Sequence, residues 1–155
     1  MRVADEQGIW EVDENVRFLI EPSEKWIEDN KPALPSLEDI QQQKILELNT
    51  ACNQDILNGF SSSCTGIEHQ YKFDEEYQGN FSKKMGLLSL VPTIQLVDWP
   101  TKDMGVVRHT REQFIQLAVD GQTHMETKLF RYFGMKAQIL APTITTVEQI
   151  EAFVW

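Results

Sequence analysis

The chain has 155 residues, with 24 Asp and Glu against 14 Lys and Arg and a formal net charge of −10. That length suits one domain with a small appended segment and excludes a second full domain. The dispersed cations exclude the concentrated basic face that duplex phosphates require, so nucleic acid is not an expected partner.

Two apolar-aromatic runs, Gly8 to Val12 and Val16 to Ile20, flank Asp13-Glu14-Asn15 and predict a β-hairpin with a polar turn. After Trp26-Ile27, Pro32 and Pro35 favour an extended tether. Residues 1–35 are therefore read as an N-terminal β-hairpin and tether, and residues 36–155 as the main domain. The opening MRVADEQGIW has no apolar signal-peptide core, and no apolar run approaches a membrane span, so synthesis in the cytoplasm without membrane insertion is expected.

Ser36 opens the first long helix, with Asp39 placed for a reciprocal cap and Ile45, Leu48, Cys52 and Ile56 as its apolar stripe. Asn58-Gly59 closes it, and Ser61-Ser62-Ser63 reads as a polar connection. Ile67, His69, Tyr71 and Phe73 then alternate with Glu68, Gln70 and Lys72, which predicts a half-buried strand. Asp74 is placed to cap a helix from Glu75 to about Leu90, with Tyr77, Phe81, Met85 and Leu88 on its apolar side. Thr93–Trp99 and Val106–His109 predict a second hairpin around Pro100–Gly105.

The strongest periodicity follows. Thr110-Arg-Glu-Gln113 is a capping box, and Phe114, Leu117, Ala118, Gly121, Met125, Leu129 and Tyr132 lie on one helical face. One long helix to about Ala141 is expected, with Gly121 allowing a close approach, and a capping box at Thr146-Val-Glu-Gln149 starts a short terminal helix. The fold class is α+β: a small antiparallel sheet, strand plus β-hairpin, packed against a long helix and two or three further helices, preceded by the N-terminal β tether.

Chemistry is sparsely signalled. Cys52, Cys64, His69, His109 and His124 are metal-donor types, but no pair has the short spacing that pre-organises zinc ligands. Both cysteines and His69 are read as core residues, and no metal is expected. Cys64 with His109 or His124 would supply a thiol and a base, yet no activating motif surrounds them. Glu75-Glu76 and Glu148 sit in predicted first helical turns, where local stabilisation accounts for them. Isolated glycines make no phosphate cradle, so no cofactor and no enzymatic turnover are expected. The aromatic residues remain. Trp10 and Phe18 in the hairpin, Trp26 in the tether and Trp99 at the second hairpin's turn are the expected partner interface, because a small hairpin and tether bury indoles poorly alone. Covering the edge of the core is the alternative reading of Trp99.

Ordered short motifs add a resemblance. A Cys-containing helix, then Gly59-Phe60-Ser61-Ser62, then Gly66, His69 and Tyr71 in Gly-x-x-His-x-Tyr, then Gln78-Gly79-Asn80-Phe81 resemble a domain family of uncharacterised function found in bacteriophage tail, tail-fibre and baseplate-associated proteins. Trp99-Pro-Thr-x-Asp103, the helix opening at Thr110 and Trp155 extend the similarity over residues 37–155. Tyr77 departs from the Asp often found before the Gln, and Phe81 from the more usual Leu. The resemblance implies a structural or accessory virion protein of the tail, at the baseplate or fibre-attachment region, acting by assembly with other tail, baseplate or fibre proteins or as a homo-oligomer in a symmetric assembly. A fibre-assembly chaperone is the nearest alternative. A small hydrolase of host envelope polysaccharide is the alternative from another class.

Overall fold

The structure is a computed structural model that describes residues 1–13 and 16–155. The chain divides into two compact units, Met1–Ser36 and Leu37–Trp155.

In the first unit, β1 (Arg2–Asp5), β2 (Gly8–Asp13) and β3 (Val16–Pro22) form an antiparallel meander in that order, with a bulge at Ile9/Trp10. A short helix, α1 (Glu24–Asp29), follows. The polar turn expected at Glu14-Asn15 lies outside the described residues. The unit thus has one strand more than the expected hairpin, and a helix stands in the expected tether. Ser23 explains the helix: its Oγ accepts from the Trp26 amide at 3.1 Å, and its own amide donates to the Gln7 carbonyl at 2.8 Å. One residue both caps α1 and ties it to the β1–β2 turn, while both tether prolines come after the helix ends. Among the described residues of this unit, no apolar side chain is buried.

The second unit is α+β. It runs α2 (Leu37–Leu57), β4 (Phe60–Ser62), β5 (His69–Tyr71), α3 (Glu75–Leu90), β6 (Leu96–Pro100), β7 (Val106–Thr110), α4 (Arg111–Ile139) and α5 (Val147–Glu151). β4 pairs with β5, and β6 with β7, as two antiparallel ribbons. The Lys102 amide in the β6–β7 turn donates to the Gln70 carbonyl of β5 at 2.7 Å and joins the ribbons at that point. The expected strand from Ile67 shrinks to three residues, and Ile67 is exposed. Alternation holds from His69 through Tyr71 to Phe73, all buried, whereas Ile67 directly follows the Gly66 turn. Ser61 and Ser62, expected in a polar connection with Ser63, instead belong to strand Phe60–Ser62, and Ser62 faces inward.

Gly59 makes the α2–β4 corner. Its φ is +91°, and a Cβ there would lie 2.1 Å from the Tyr71 carbonyl oxygen, so only glycine fits between helix end and ribbon. α3 and α4 follow their capping signals. Asp74 accepts from the Tyr77 amide at 3.1 Å, and Thr110 and Gln113 form the reciprocal box. α4 is 29 residues and so about 43 Å long. Phe114, Leu117 and Gly121 pack toward the ribbons, and Tyr132 and Ile139 are buried nearer its C-terminal end. Around Gly121 the approach is close: an added Cβ would meet Phe73 Cε2 at 2.9 Å and Phe60 Cζ at 3.0 Å. α2 packs along α4, and α5 against α2. The Gln41 amide donates to the Ile139 carbonyl at 2.8 Å, and buried Lys44 meets Glu47 at 3.2 Å and Glu151 at 3.3 Å.

Candidate functional site

The expected interface residues are divided between the two units. Trp10, Phe18 and Trp26 belong to the first unit and Trp99 to the second. Trp10 is held in place on the meander. Its indole donates to Asp5 at 2.9 Å, the Arg17 guanidinium lies 4.3 Å from the ring centroid, and Arg17 is ion-paired to Asp5. The indole hydrogen bond, assisted by the Gln7 amide and Arg17, holds the Asp5 carboxyl below its ordinary range. Phe18 pairs with Glu11, one step from the Trp10–Leu19 pair, so it stands on the opposite sheet face and is 59% exposed. Trp26 is half-buried on α1.

Of the two readings of Trp99, surface anchor and cover for the edge of the core, the structure takes the second. It is 6% exposed, with its ring centroid 4.6 Å from Phe81 and 5.0 Å from Phe114. The strand, not the turn, explains this: Val97 and Trp99 take the inward positions of β6, and the turn proper begins at Thr101. Its Nε1 has no hydrogen-bond partner among the described residues.

A polar cluster sits where the two ribbons and α4 meet. His109 on β7 is fully buried. Its Nδ1 faces the Val107 carbonyl at 3.0 Å and must donate there, leaving Nε2 to accept from the Tyr71 hydroxyl at 2.9 Å. Burial depresses the His109 pKa and so favours the neutral ring, with the Val107 carbonyl acting in the opposite sense. Burial, reinforced by Cys64, raises the Tyr71 hydroxyl above the ordinary tyrosine range. Cys64 Sγ lies 4.0 Å from that hydroxyl and is half-buried rather than in the core. Beside them the His69 ring meets Asp103 at 3.1 Å, and Asp103 also accepts from the Gln70 amide at 3.2 Å. The His69 contact chiefly holds Asp103 below its ordinary range. Ser62 bonds Asp120 of α4.

The sequence reading paired Cys64 with His109, and the fold does bring them to one cluster. Tyr71 stands between them. The thiol meets a phenol, the imidazole's accepting nitrogen is occupied, and both Tyr71 and His109 are wholly buried, so this arrangement binds ribbon to ribbon and offers no thiol–imidazole pair to a substrate. His124 stands apart, stacked 6.0 Å from Phe60. Among the described residues, no cluster of His, Cys, Asp or Glu is arranged to hold a metal ion, and no helix is long and apolar enough to cross a membrane.

Sequence reasoning missed two features. One is the Lys44–Glu151 bridge, signalled only by a Lys at a position flanking the α2 stripe. The other is a groove between α3 and β6, lined by Tyr77, Asn80, Lys83, Lys84, Leu87, Trp99 and Pro100, with a volume of about 370 Å³. Its signal was the adjacency of Lys83-Lys84 on the outer side of a helix whose inner stripe was already read.

No curated protein and no solved structure matches the chain. The family described as "Domain of unknown function (DUF4376)" matches residues 39–154, nearly all of the second unit, and the chain belongs to that family.

Proposed function

We propose that the chain is an assembly protein of a bacteriophage tail, at the baseplate or fibre-attachment region, with Met1–Ser36 as the element that docks onto neighbouring tail subunits. The observation that carries this reading is the exposure of the first unit's apolar side chains: Phe18, Ile20, Ile27 and Leu34 are exposed, Leu34 to 88%. A three-stranded sheet gains stability by packing an apolar face against something, and apolar residues left open in this way mark a contact surface. The tail assignment itself rests on the ordered motifs from Cys52 to Trp155 that resemble tail-associated proteins.

Quantitative mass spectrometry of purified particles tests the assignment. A structural component is present in a fixed ratio to the other tail proteins. A chaperone is recovered from infected cells but missing from particles, and that result would move the reading to fibre assembly. Deletion of residues 1–35 is expected to abolish incorporation while leaving the circular dichroism of the remainder unchanged. Normal incorporation of the deletion would place docking elsewhere on the molecule.

A further inference from the structure

The α3–β6 groove differs in charge from the chain as a whole. The chain carries ten more carboxylates than cations, yet Lys83 and Lys84 line this groove and no carboxylate does. Neither lysine has an ion-pair partner among the described residues, and Lys84 is half-buried. A third cation stands nearby, with Lys72 Nζ 5.3 Å from the ring centroid of Tyr77, which also lines the groove. The apolar lining is Tyr77, Leu87, Trp99 and Pro100, and the apolar surface continues past it: Leu90, one helical turn beyond Leu87, is 83% exposed. Trp99 contributes ring surface to the lining, while its indole N–H is buried with no acceptor among the described residues. Asn80 adds an amide that can both donate and accept.

We infer that this groove binds an acidic segment of a partner protein, one apolar side chain seated against Leu87, Trp99 and Pro100 with flanking Asp or Glu carboxylates on Lys83 and Lys84. Charge complementarity selects the carboxylates, since neighbouring ammonium groups without ion-pair partners repel one another and an incoming anion relieves that repulsion. The apolar strip running on to Leu90 favours a chain over a compact ion. A peptide also supplies main-chain carbonyls, which the Asn80 side-chain amide can engage. The inference concerns the second unit alone and does not rest on the tail assignment.

The test uses the full ¹⁵N-labelled chain and a short synthetic peptide with a central Leu flanked by Glu on both sides. The Trp99 indole resonance is identified as the one missing from Trp99→Phe. The peptide is expected to shift that resonance and the amides of Tyr77 to Leu87, to bind more weakly as salt rises, and to lose affinity about tenfold or more in Lys83→Glu/Lys84→Glu. Lys83→Gln/Lys84→Gln should fall between the two, and both variants should melt as the parent does. Replacing every Glu of the peptide by Gln, or its Leu by Ala, should each weaken binding. The inference is overturned by an unmoved Trp99 resonance, or by equal binding of the Gln peptide or of the charge-reversed protein. Polyphosphate binding as tightly at the same resonances would make the groove a general polyanion site. Shifts on concentrating the protein alone would make its occupant a second copy, and either outcome also overturns the acidic-segment assignment.

Discussion

Trp10 and Phe114 are held by different physics. In Met1–Ser36, Trp10 is fixed by a carboxylate and a guanidinium at the surface, and no apolar side chain described around it is buried. In Leu37–Trp155, Phe114 is wholly buried against Phe81 at 5.6 Å, Trp99 at 5.0 Å and His109 at 6.3 Å. Polar anchoring sets the shape of a small sheet but removes little apolar surface from water, whereas ring packing supplies both burial and shape. The first unit therefore has surface to offer a partner. The second has a core to protect.

Substitution at Phe114 should expose this contrast most. Phe114→Ala is expected to cost about 3–5 kcal/mol in urea unfolding, because the surrounding rings cannot collapse into the space. Phe18→Ala should stay within about 0.5 kcal/mol; a comparable loss at both positions would erase the distinction. Gly121→Ala comes next. The methyl would press on two aromatic rings packed in the core, and a loss of about 1–3 kcal/mol is expected even though Ala is the better helix former by about 1 kcal/mol.

A smaller effect separates the units by pH. His109, whose folded pKa is depressed from 6.5, takes up a proton more readily in the unfolded chain, so the stability it confers is complete above about pH 6.5 and is lost as pH falls below it. The lowered carboxyls of Asp55 and Asp103 act in the same direction, but only as pH falls below about 3.8. Thermal melts between pH 5 and 8 should slope in the parent and lie flatter in His109→Gln, which retains a polar side chain opposite Tyr71. An unchanged slope would remove His109 as its source. The smallest expected change is a gain: Gly134→Ala, on an exposed turn of α4 with open space where the methyl would go, should stabilise by about 0.5–1 kcal/mol.

What was legible in the chain was local. Capping chemistry and period set α3 at Glu75–Leu90 as expected, and the Thr110 and Thr146 boxes open α4 and α5 as their spacing predicts. Ile45, Leu48, Cys52 and Ile56 are all buried on α2. The misses have physical causes. Arg2–Asp5 becomes a strand only because β2 is there to pair with it, and its own residues show no apolar alternation. Phe60–Ser62 hides behind serines, one of which faces inward because Asp120 of α4 bonds it. Trp99 had two readings because a Pro beside an aromatic reads as a turn, whereas here Pro100 closes a strand at its pairing with Val106. The groove needed the packing of α3 against β6, and neither element betrays its partner in sequence.

Lys44 carries a consequence for the order of events during synthesis. One of its carboxylates, Glu151, lies 107 positions further along the chain; Trp155 donates to Asp55 across 100 positions, and Gln41 reaches Ile139 across 98. At about 5–20 residues per second, the ribosome delivers these partners roughly 5–20 s after α2 has emerged. Helices in proteins draw most of their stability from packing an apolar face, and that of α2 packs chiefly on α4 and α5, both made later. Nascent α2 therefore waits, with Leu48, Cys52 and Ile56 uncovered, and early release or a stalled ribosome leaves an aggregation-prone intermediate at that stage.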